Sequence, residues 1–513
     1  MGGRAALAMT AYTFGARHPA VARQRPSPRP VLVAGILLAL TGCAAGPDYA
    51  APDPGLARFH GAGAAASQAV PAPIPEIDHW WREFDDPELT RIVERALDQN
   101  LDLAAALARV EQARAAARGA GARLLPRIDA TAQASRQRQS LESPTGSIAR
   151  NFPGYERDQS LYDAGAAASW EIDLFGGLRR TAEAASAEAE AAEAARLGTR
   201  ITVAADSADV YLRIRGAQRR MALAVEQVST NARLLDLVQR RFEKGLASDR
   251  EVAQAEALLA GARASLPPLQ IELEAQLNRL DVLMGAQPGT YAARLRANGV
   301  IPSAPAIASA EPVDVLRRRP DIIAAERRLA AANARIGAAI ADYYPKVSLS
   351  ALLGFQSSTP ADLFRDSTFQ PQGLLGMRWR LFDFGRVDAE VAAARGAEAE
   401  ALAVYRQSVL RAAEDVENAF TALVQLEALE SELEQEVAAL QRARNLSQTA
   451  YEGGIIPLTD VLDTNRQKLA AEDALARARA DAARSAVSAF RALGGGWPSD
   501  TDSFLEITDV RKK

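Results

Sequence analysis

The chain repeats itself, and this duplication constrains its fold more than any other feature. Asn100-Leu101-Asp102-Leu103 aligns with Arg319-Pro320-Asp321-Ile322, and Pro126 with Pro345, at an offset of 219 residues. Gly176 then aligns with Gly385, Phe242 with Tyr451, Gly245 with Gly454, Val252 with Val461 and Gly285 with Gly494, all at 209. The change of offset means that ten more residues separate the proline from the glycine in the first copy. Each copy reads as helix, β-like region, very long helix, turn and further helix, so whatever one copy builds is built twice. The copies span 86–286 and 313–496, joined by a proline-rich linker over 287–312.

The β-like regions alternate apolar and polar residues. Ile128, Ala130, Ala132 and Ala134 interleave with Asp129, Thr131, Gln133 and Ser135. The same holds for Tyr162 to Ile172, Val347 to Phe355, and Leu375 to Leu381. Period two puts one set on each face of a strand, predicting strands at about 126–137, 160–174, 345–357 and 372–384. An apolar and a polar face suit membrane barrel strands, lipid outside and water inside; half-buried strands of a soluble sheet are the alternative. Trp170, Phe175, Tyr343, Tyr344, Trp379 and Phe384 gather at the ends nearest the helices, where an aromatic girdle would sit. Four strands cannot close a barrel, and an open edge in lipid leaves backbone groups unpaired at several kcal/mol each. Membrane strands of this number therefore require several chains to pool them.

The long helices, about 178–241 and 386–450, contain no proline. At ~1.5 Å per residue each spans on the order of 95 Å, beyond an ordinary globular helix. A periplasmic coiled-coil scaffold is the rival reading of such helices.

Residues 1–30 carry Arg4, Arg17, Arg23, Arg25 and Arg29 and no acid; an apolar run over 31–40 and Thr41-Gly42-Cys43 follow. This order makes an export signal over 1–42, too short to span a bilayer as a mature helix. Leu40-Thr41-Gly42-Cys43 resembles the bacterial lipobox, which implies a lipid on the Cys43 thiol and cleavage before it. Cleavage removes five arginines and takes the net charge from −4 to −9. Residues 43–85 then form a tether, and 497–513 a C-terminal tail. No later stretch is apolar for long enough to be a spanning helix.

Other function classes recede. The acidic balance argues against nucleic-acid binding through phosphates. Cys43 is the one cysteine, and His18, His60 and His79 are the histidines, leaving no Cys-based or His-rich metal site. There is no His-Glu-x-x-His, phosphate-loop lysine or nucleophile elbow, so no enzyme is expected and no cofactor beyond the lipid. Met221, Met284 and Met377 are too scattered for a soft-metal relay.

Several stretches now become specific. Cys43-Ala-Ala-Gly46-Pro47-Asp48-Tyr49, Trp81 to Pro87, Arg318-Arg319-Pro320-Asp321-Ile322, Leu329 to Gly337, Phe382-Asp383-Phe384-Gly385 and Ala492-Leu-Gly494-Gly-Gly496-Trp497 resemble the TolC-like outer-membrane efflux factors. The likeness is to their lipoprotein branch, the NodT family. It implies a mainly α fold with a membrane β-barrel portion: a homotrimer pooling four strands per chain into twelve, above a long periplasmic α-barrel. It also implies a passive outer-membrane channel that works with a periplasmic adaptor and an inner-membrane pump of the resistance–nodulation–division class, exporting drugs or other small toxic compounds. Protein secretion or metal efflux are alternatives within the same fold.

The resemblance also assigns residues, and it implies an equatorial belt around the α-barrel built from part of the tether 43–85, the linker 287–312 and the tail 497–513. The turns at 242–251 and 451–460 become the periplasmic tip, with Asp460 and Asp463 as pore-facing gate carboxylates. Their i, i+3 spacing shares one helix face, and a trimer would make each a ring of three that draws cations. Tyr451, Gly454, Gly245, Arg250 and Glu251 resemble latch and adaptor-contact positions, while Ile456 stands where some members carry an arginine.

Overall fold

The computed structural model describes residues 44–53, 77–296, 299–305 and 318–497. Cys43, the signal segment and the remaining parts of tether, linker and tail lie outside the described residues.

Each helix start has a local cause. Asp86 caps α1 (Pro87–Gln99), accepting the N–H groups of Glu88 and Leu89 at 2.8 and 3.1 Å, with Pro87 in the first turn where its missing donor costs nothing. Asn100 ends α1 and caps α2 (Leu101–Ala122) through the N–H groups of Asp102 and Leu103. Two strands follow, β1 (Arg127–Arg138) and β2 (Asp158–Ile172). The first long helix, α3, runs Gly177–Glu243, followed by α4 (Asp249–Ala264) and α5 (Leu266–Leu283). The second copy supplies α6 (Pro320–Ala341), β3 (Lys346–Ser357), β4 (Phe369–Arg378), the second long helix α7 (Arg386–Glu452), and α8 (Leu458–Ala492).

The duplication is literal in the long helices. Both α3 and α7 have 67 residues, about 100 Å. Each begins after a left-handed glycine (Gly176, φ 78°; Gly385, φ 82°) and ends at one (Gly245, φ 70°; Gly454, φ 73°). The copies part in the last helix. α8 is unbroken over 35 residues, whereas Pro267 and Pro268, which have no N–H to give, divide its counterpart into α4 and α5 at Ser265.

Two strands differ from their expected bounds. β4 begins at Phe369 and stops at Arg378, so 379–384 is no strand. There Phe384 takes a positive φ of 55°, and Asp383 accepts the N–H groups of Gly385 and Val387 at 3.1 and 2.9 Å. That segment caps α7 instead of extending the sheet. β2 likewise ends at Ile172, because Asp173 caps α3 through the N–H groups of Leu178 and Arg179.

α3 is the central pillar, with α2 and α6 packed on its sheet-proximal part and α4, α5 and α8 farther along. α7 is flanked by α6 and then by α8. Alanines 184, 187, 330, 331 and 334 let α3 and α6 approach closely near the sheet. Midway along α3 lies the largest core, where Trp80, Trp81, Leu89, Tyr211, Leu280 and Phe490 are fully buried and Trp80 stacks on Phe490 at 5.4 Å. Each such side chain contributes about 1.5–3 kcal/mol by leaving water. This core fixes the middle of the helical layer, leaving its two ends to carry function.

Candidate membrane face and helical tip

At one end, β1 to β4 pair in sequence order, all antiparallel. Residues directly opposite in such a ladder share a face, so the register decides whether the four apolar sets combine. They do. The rows Ile128–Ala168–Ala351–Gly373, Ala130–Ala166–Leu353–Pro371, Ala132–Ala164–Phe355–Phe369 and Trp170–Leu349–Leu375 lie on one face. The opposite face carries Arg127, Asp129, Thr131, Gln133, Asp163, Gln356 and Gln370, with Gln356 Nε2 donating to Asp163 at 2.6 Å. Ile128, Leu353, Leu375 and Met377 are each more than half exposed, so the apolar face is uncovered in the single chain.

Aromatic residues bound this face. At the helix-proximal end Phe175 stacks on Tyr344 at 4.5 Å, while the indole N–H groups of Trp170 and Trp379 donate to the carbonyls of Leu124 and Tyr343. At the loop end Phe355 packs against Phe364 and Phe369. The nine residues from Trp170 to Tyr162 cover roughly 26 Å of strand; tilted as in membrane barrels, that spans about 20 Å, most of an apolar band about 25 Å tall.

Residues 44–53 are strapped to the helices at the inner end of the sheet. Ala45 N–H donates to the Phe175 carbonyl at 2.9 Å. Arg180, almost wholly buried, donates to the Ala45 carbonyl at 3.2 Å and to Asp48 at 2.6 Å. Tyr49 donates to Glu326 at 2.6 Å, and burial together with that carboxylate pushes its phenol above the ordinary range. Gly46, at φ +89°, lies so close to Gly337 that a Cβ would stand 2.4 Å from the Gly337 Cα. The predicted lipidation residue, Cys43, lies outside the described residues, directly before this strap.

The other end is a pair of equivalent turns. Leu246 N–H donates to the Arg241 carbonyl at 2.8 Å and Ile455 N–H to that of Ala450 at 2.9 Å, closing each long helix over the left-handed Gly245 and Gly454. Leu246 and Ile455 are exposed. Tyr451 is 3% exposed, packed among Val238, Ala255, Leu458 and Val461. The Arg241 guanidinium lies over its ring, 4.7 Å from the centroid, and donates to its carbonyl at 3.3 Å. The Tyr451 hydroxyl is buried with no hydrogen-bond partner among the described residues. Burial pushes its pKa up, opposed by Arg241 and assisted by Glu251.

The remaining predicted tip residues do different work. Glu251 folds back on Ser248, accepting its N–H at 2.7 Å and its hydroxyl at 3.0 Å, a capping box that starts α4. Arg250 projects, exposed, from the same first turn. Asp460 and Asp463 are exposed on α8. Asp463 is held by Arg466 at 2.6 Å and Gln467 at 2.7 Å, whereas among the described residues the Asp460 carboxylate meets only the Thr459 hydroxyl, at 3.4 Å.

Sequence reasoning passed over Arg241, which aligns with Ala450 in the other copy and so carried no repeat signal. It also passed over the seam joining α3 to α8. There Asn465 donates to Asn231 Oδ1 at 3.2 Å, Asn231 donates to the Leu258 carbonyl at 3.2 Å, and Arg220 and Arg484 reach Asp473 and Asp209 at 2.7 and 2.6 Å. Among the described residues no three acidic, histidine or cysteine side chains gather as a metal site, and no helix is long and apolar enough to cross a membrane.

A family model described as outer membrane efflux protein matches residues 92–286 and 312–495. Pyoverdine export outer membrane protein OpmQ of Pseudomonas putida is 34% identical over 438 residues, spanning 85% of this chain and 91% of that protein. Nodulation protein T of Rhizobium leguminosarum bv. viciae is 30% identical over 478 residues, 91% and 93% of the two. The solved outer-membrane channel OprN superposes with a TM-score of 0.81 at 33% identity, covering 89% of this chain and all of that one.

Proposed function

The chain belongs to the outer membrane efflux protein family and acts in efflux across the outer membrane, and from that premise we propose that three copies pool their strands into one twelve-stranded barrel, continued inward by a helical tube. One observation carries this reading: a four-stranded sheet with an exposed apolar face bounded by aromatic residues and, among the described residues, two unpaired edges, β1 and β4. In lipid those edges leave backbone groups unpaired at several kcal/mol each, and closure with further copies is the remedy. The polar face then lines a wet passage.

The relatives include exporters of pyoverdine and, in a 31% identical protein of Pseudomonas putida, of toluene. Small organic compounds of that kind are the proposed cargo, passing without catalysis or cofactor. A periplasmic adaptor, meeting the exposed Leu246 and Ile455 at the tip, and an inner-membrane resistance–nodulation–division pump would choose and drive the cargo. Asp460 and Asp463 would form the gate rings, with Tyr451, Gly454, Gly245, Arg250 and Glu251 around them as latch and adaptor contacts. Cys43 would carry the lipid anchor. Its support is the strap, which holds Ala44 and Ala45 beside Phe175 and Gly176 at the inner end of the apolar face.

Purified protein reconstituted in planar bilayers should give discrete conductance steps. Repeated reconstitution without them would sink the channel reading in favour of a lipid-anchored helical scaffold.

A further inference from the structure

The register that unites the apolar face also places two cations on it. Even-numbered residues of β1 belong to the lipid-side set from Ile128 through Ala134, and the next two on that row are Arg136 and Arg138. Arg136 pairs across the ladder with Ser160 and Arg138 with Asp158, two and four residues beyond Tyr162. With the usual rise and tilt, they stand roughly 5 and 10 Å outside the aromatic row of the loop end. Both are exposed. The Arg136 side chain makes no hydrogen bond or ion pair among the described residues. Arg138 has only a loose ion pair, 3.9 Å from Asp158. The β1–β2 connection also carries Glu142, 3.9 Å from Arg150, and Glu156, and the β3–β4 connection carries Asp362 and Asp366.

A lipid-facing cation is strongly disfavoured at the bilayer midplane and costs little near the interface. These two sit where the cost is small and where headgroups lie. Two guanidinium forks roughly 7 Å apart on one strand face match phosphate oxygens, which accept paired, charge-assisted hydrogen bonds. We infer that Arg136 and Arg138 form a binding site for the phosphates of an outer-leaflet glycolipid of the lipid A type. The inference rests on the barrel reading above, with the β1–β2 and β3–β4 loops facing outward.

The test uses the full protein purified in detergent, with bisphosphorylated lipid A and its dephosphorylated form as probes and native mass spectrometry as readout. Wild type should retain the bisphosphorylated form about tenfold better, the scale of one lost charge-assisted hydrogen bond. Arg136→Gln alone should reduce that preference, and Arg136→Gln with Arg138→Gln should abolish it. Arg127→Gln, on the polar face beside Asp129, should leave it intact. Equal retention of both lipids, an unchanged preference in the double variant, or an equal loss in Arg127→Gln would each overturn the site. The same samples are tested for conductance. Conducting protein without the preference refutes this inference alone, whereas wild type that never conducts refutes the barrel reading and this site with it.

Discussion

Arg319 Nη1 donates to the main-chain carbonyl of Ala492 at 3.1 Å, tying the first residue before α6 to the last of α8. Asn100 Nδ2 does the same to Leu283 at 2.9 Å, between α2 and α5. The two pairs are related by the offsets of 219 and 209 that define the duplication. At both joints one helix stops where another starts, and a side chain satisfies a carbonyl that the ending helix leaves open.

Arg319 does more than its counterpart, since Nη2 also reaches Asp321 and Asp415 at 2.8 Å each. Arg319→Ala should therefore cost about 2–4 kcal/mol, from hydrogen bonds to charged groups and a buried carbonyl left open. Asn100→Ala should cost about 1–2 kcal/mol, mainly as a lost cap. Arg319→Lys should recover little, because one ammonium cannot span three acceptors. Denaturant unfolding of the purified variants measures the order, and an equal cost at both joints would refute it.

At the tip, the Tyr451 ring rather than its hydroxyl makes the contact, since Arg241 covers the ring and the hydroxyl is buried without a partner. Tyr451→Phe should be neutral or slightly stabilising. Arg241→Gln should lose about 0.5–2 kcal/mol of cation–π attraction and raise conductance. The pH dependence follows from the same burial. The folded phenol has a raised pKa, so its contribution is complete below the unfolded value of about 10 and is lost as pH rises through the folded one. Wild-type tips should loosen in strong alkali, and Tyr451→Phe should remove that component from conductance–pH curves.

The two proposed gate carboxylates, Asp460 and Asp463, should prove unequal. Arg466 offsets Asp463 at 2.6 Å, while Asp460 has no cation beside it among the described residues. With roughly 1 kcal/mol per contact charge in water, removing a ring of three at Asp460 should weaken block by multivalent cations about tenfold or more. Asp463→Ala alone should act less, Asp460→Ala with Asp463→Ala most, and Arg466→Gln should tighten the block. Titrating a trivalent cation against single-channel current ranks them.

Much of this architecture was legible because it is periodic. The alternation from Ile128 to Ala134 forecast a strand, and the paired glycines 245 and 454 forecast turns, since each feature depends on nearby residues alone. Boundaries were less legible. The apolar alternation runs on through Trp379 and Leu381, but Asp383 takes the backbone donors of Gly385 and Val387 and ends the strand earlier. Contacts between distant residues left no sequence signal at all, as with Arg241 over Tyr451 or Asn465 against Asn231.

The strap offers a test in which two effects have opposite signs. Gly337 lies within α6, where alanine is intrinsically favoured by about 1 kcal/mol. Its Cβ would nevertheless stand 2.6 Å from the Ala45 carbonyl oxygen. Gly337→Ala should thus release residues 44–53 while leaving α6 folded, and Gly46→Ala should do so more strongly because its φ of +89° adds strain of about 1–2 kcal/mol. Limited proteolysis should cut both variants within 44–53 and spare wild type; full protection would refute the strap.

The two faces of the sheet can be told apart one residue apart. Ala130 lies in the row with Ala166, Leu353 and Pro371, midway between the aromatic rows, and Thr131 lies on the polar face. An arginine at the midplane of a lipid-facing strand costs about 2–4 kcal/mol, whereas a cation facing water costs little. Ala130→Arg should accordingly lower the yield of folded protein in membranes, and Thr131→Arg should fold normally while shifting the conductance toward anions. A soluble, half-buried sheet would give the same order of folded yield, since a cation on a face covered by protein is also costly, but it would carry no current for Thr131→Arg to shift. The shift in ion selectivity therefore identifies the polar face as the lining of a passage and the apolar face as the one that meets lipid.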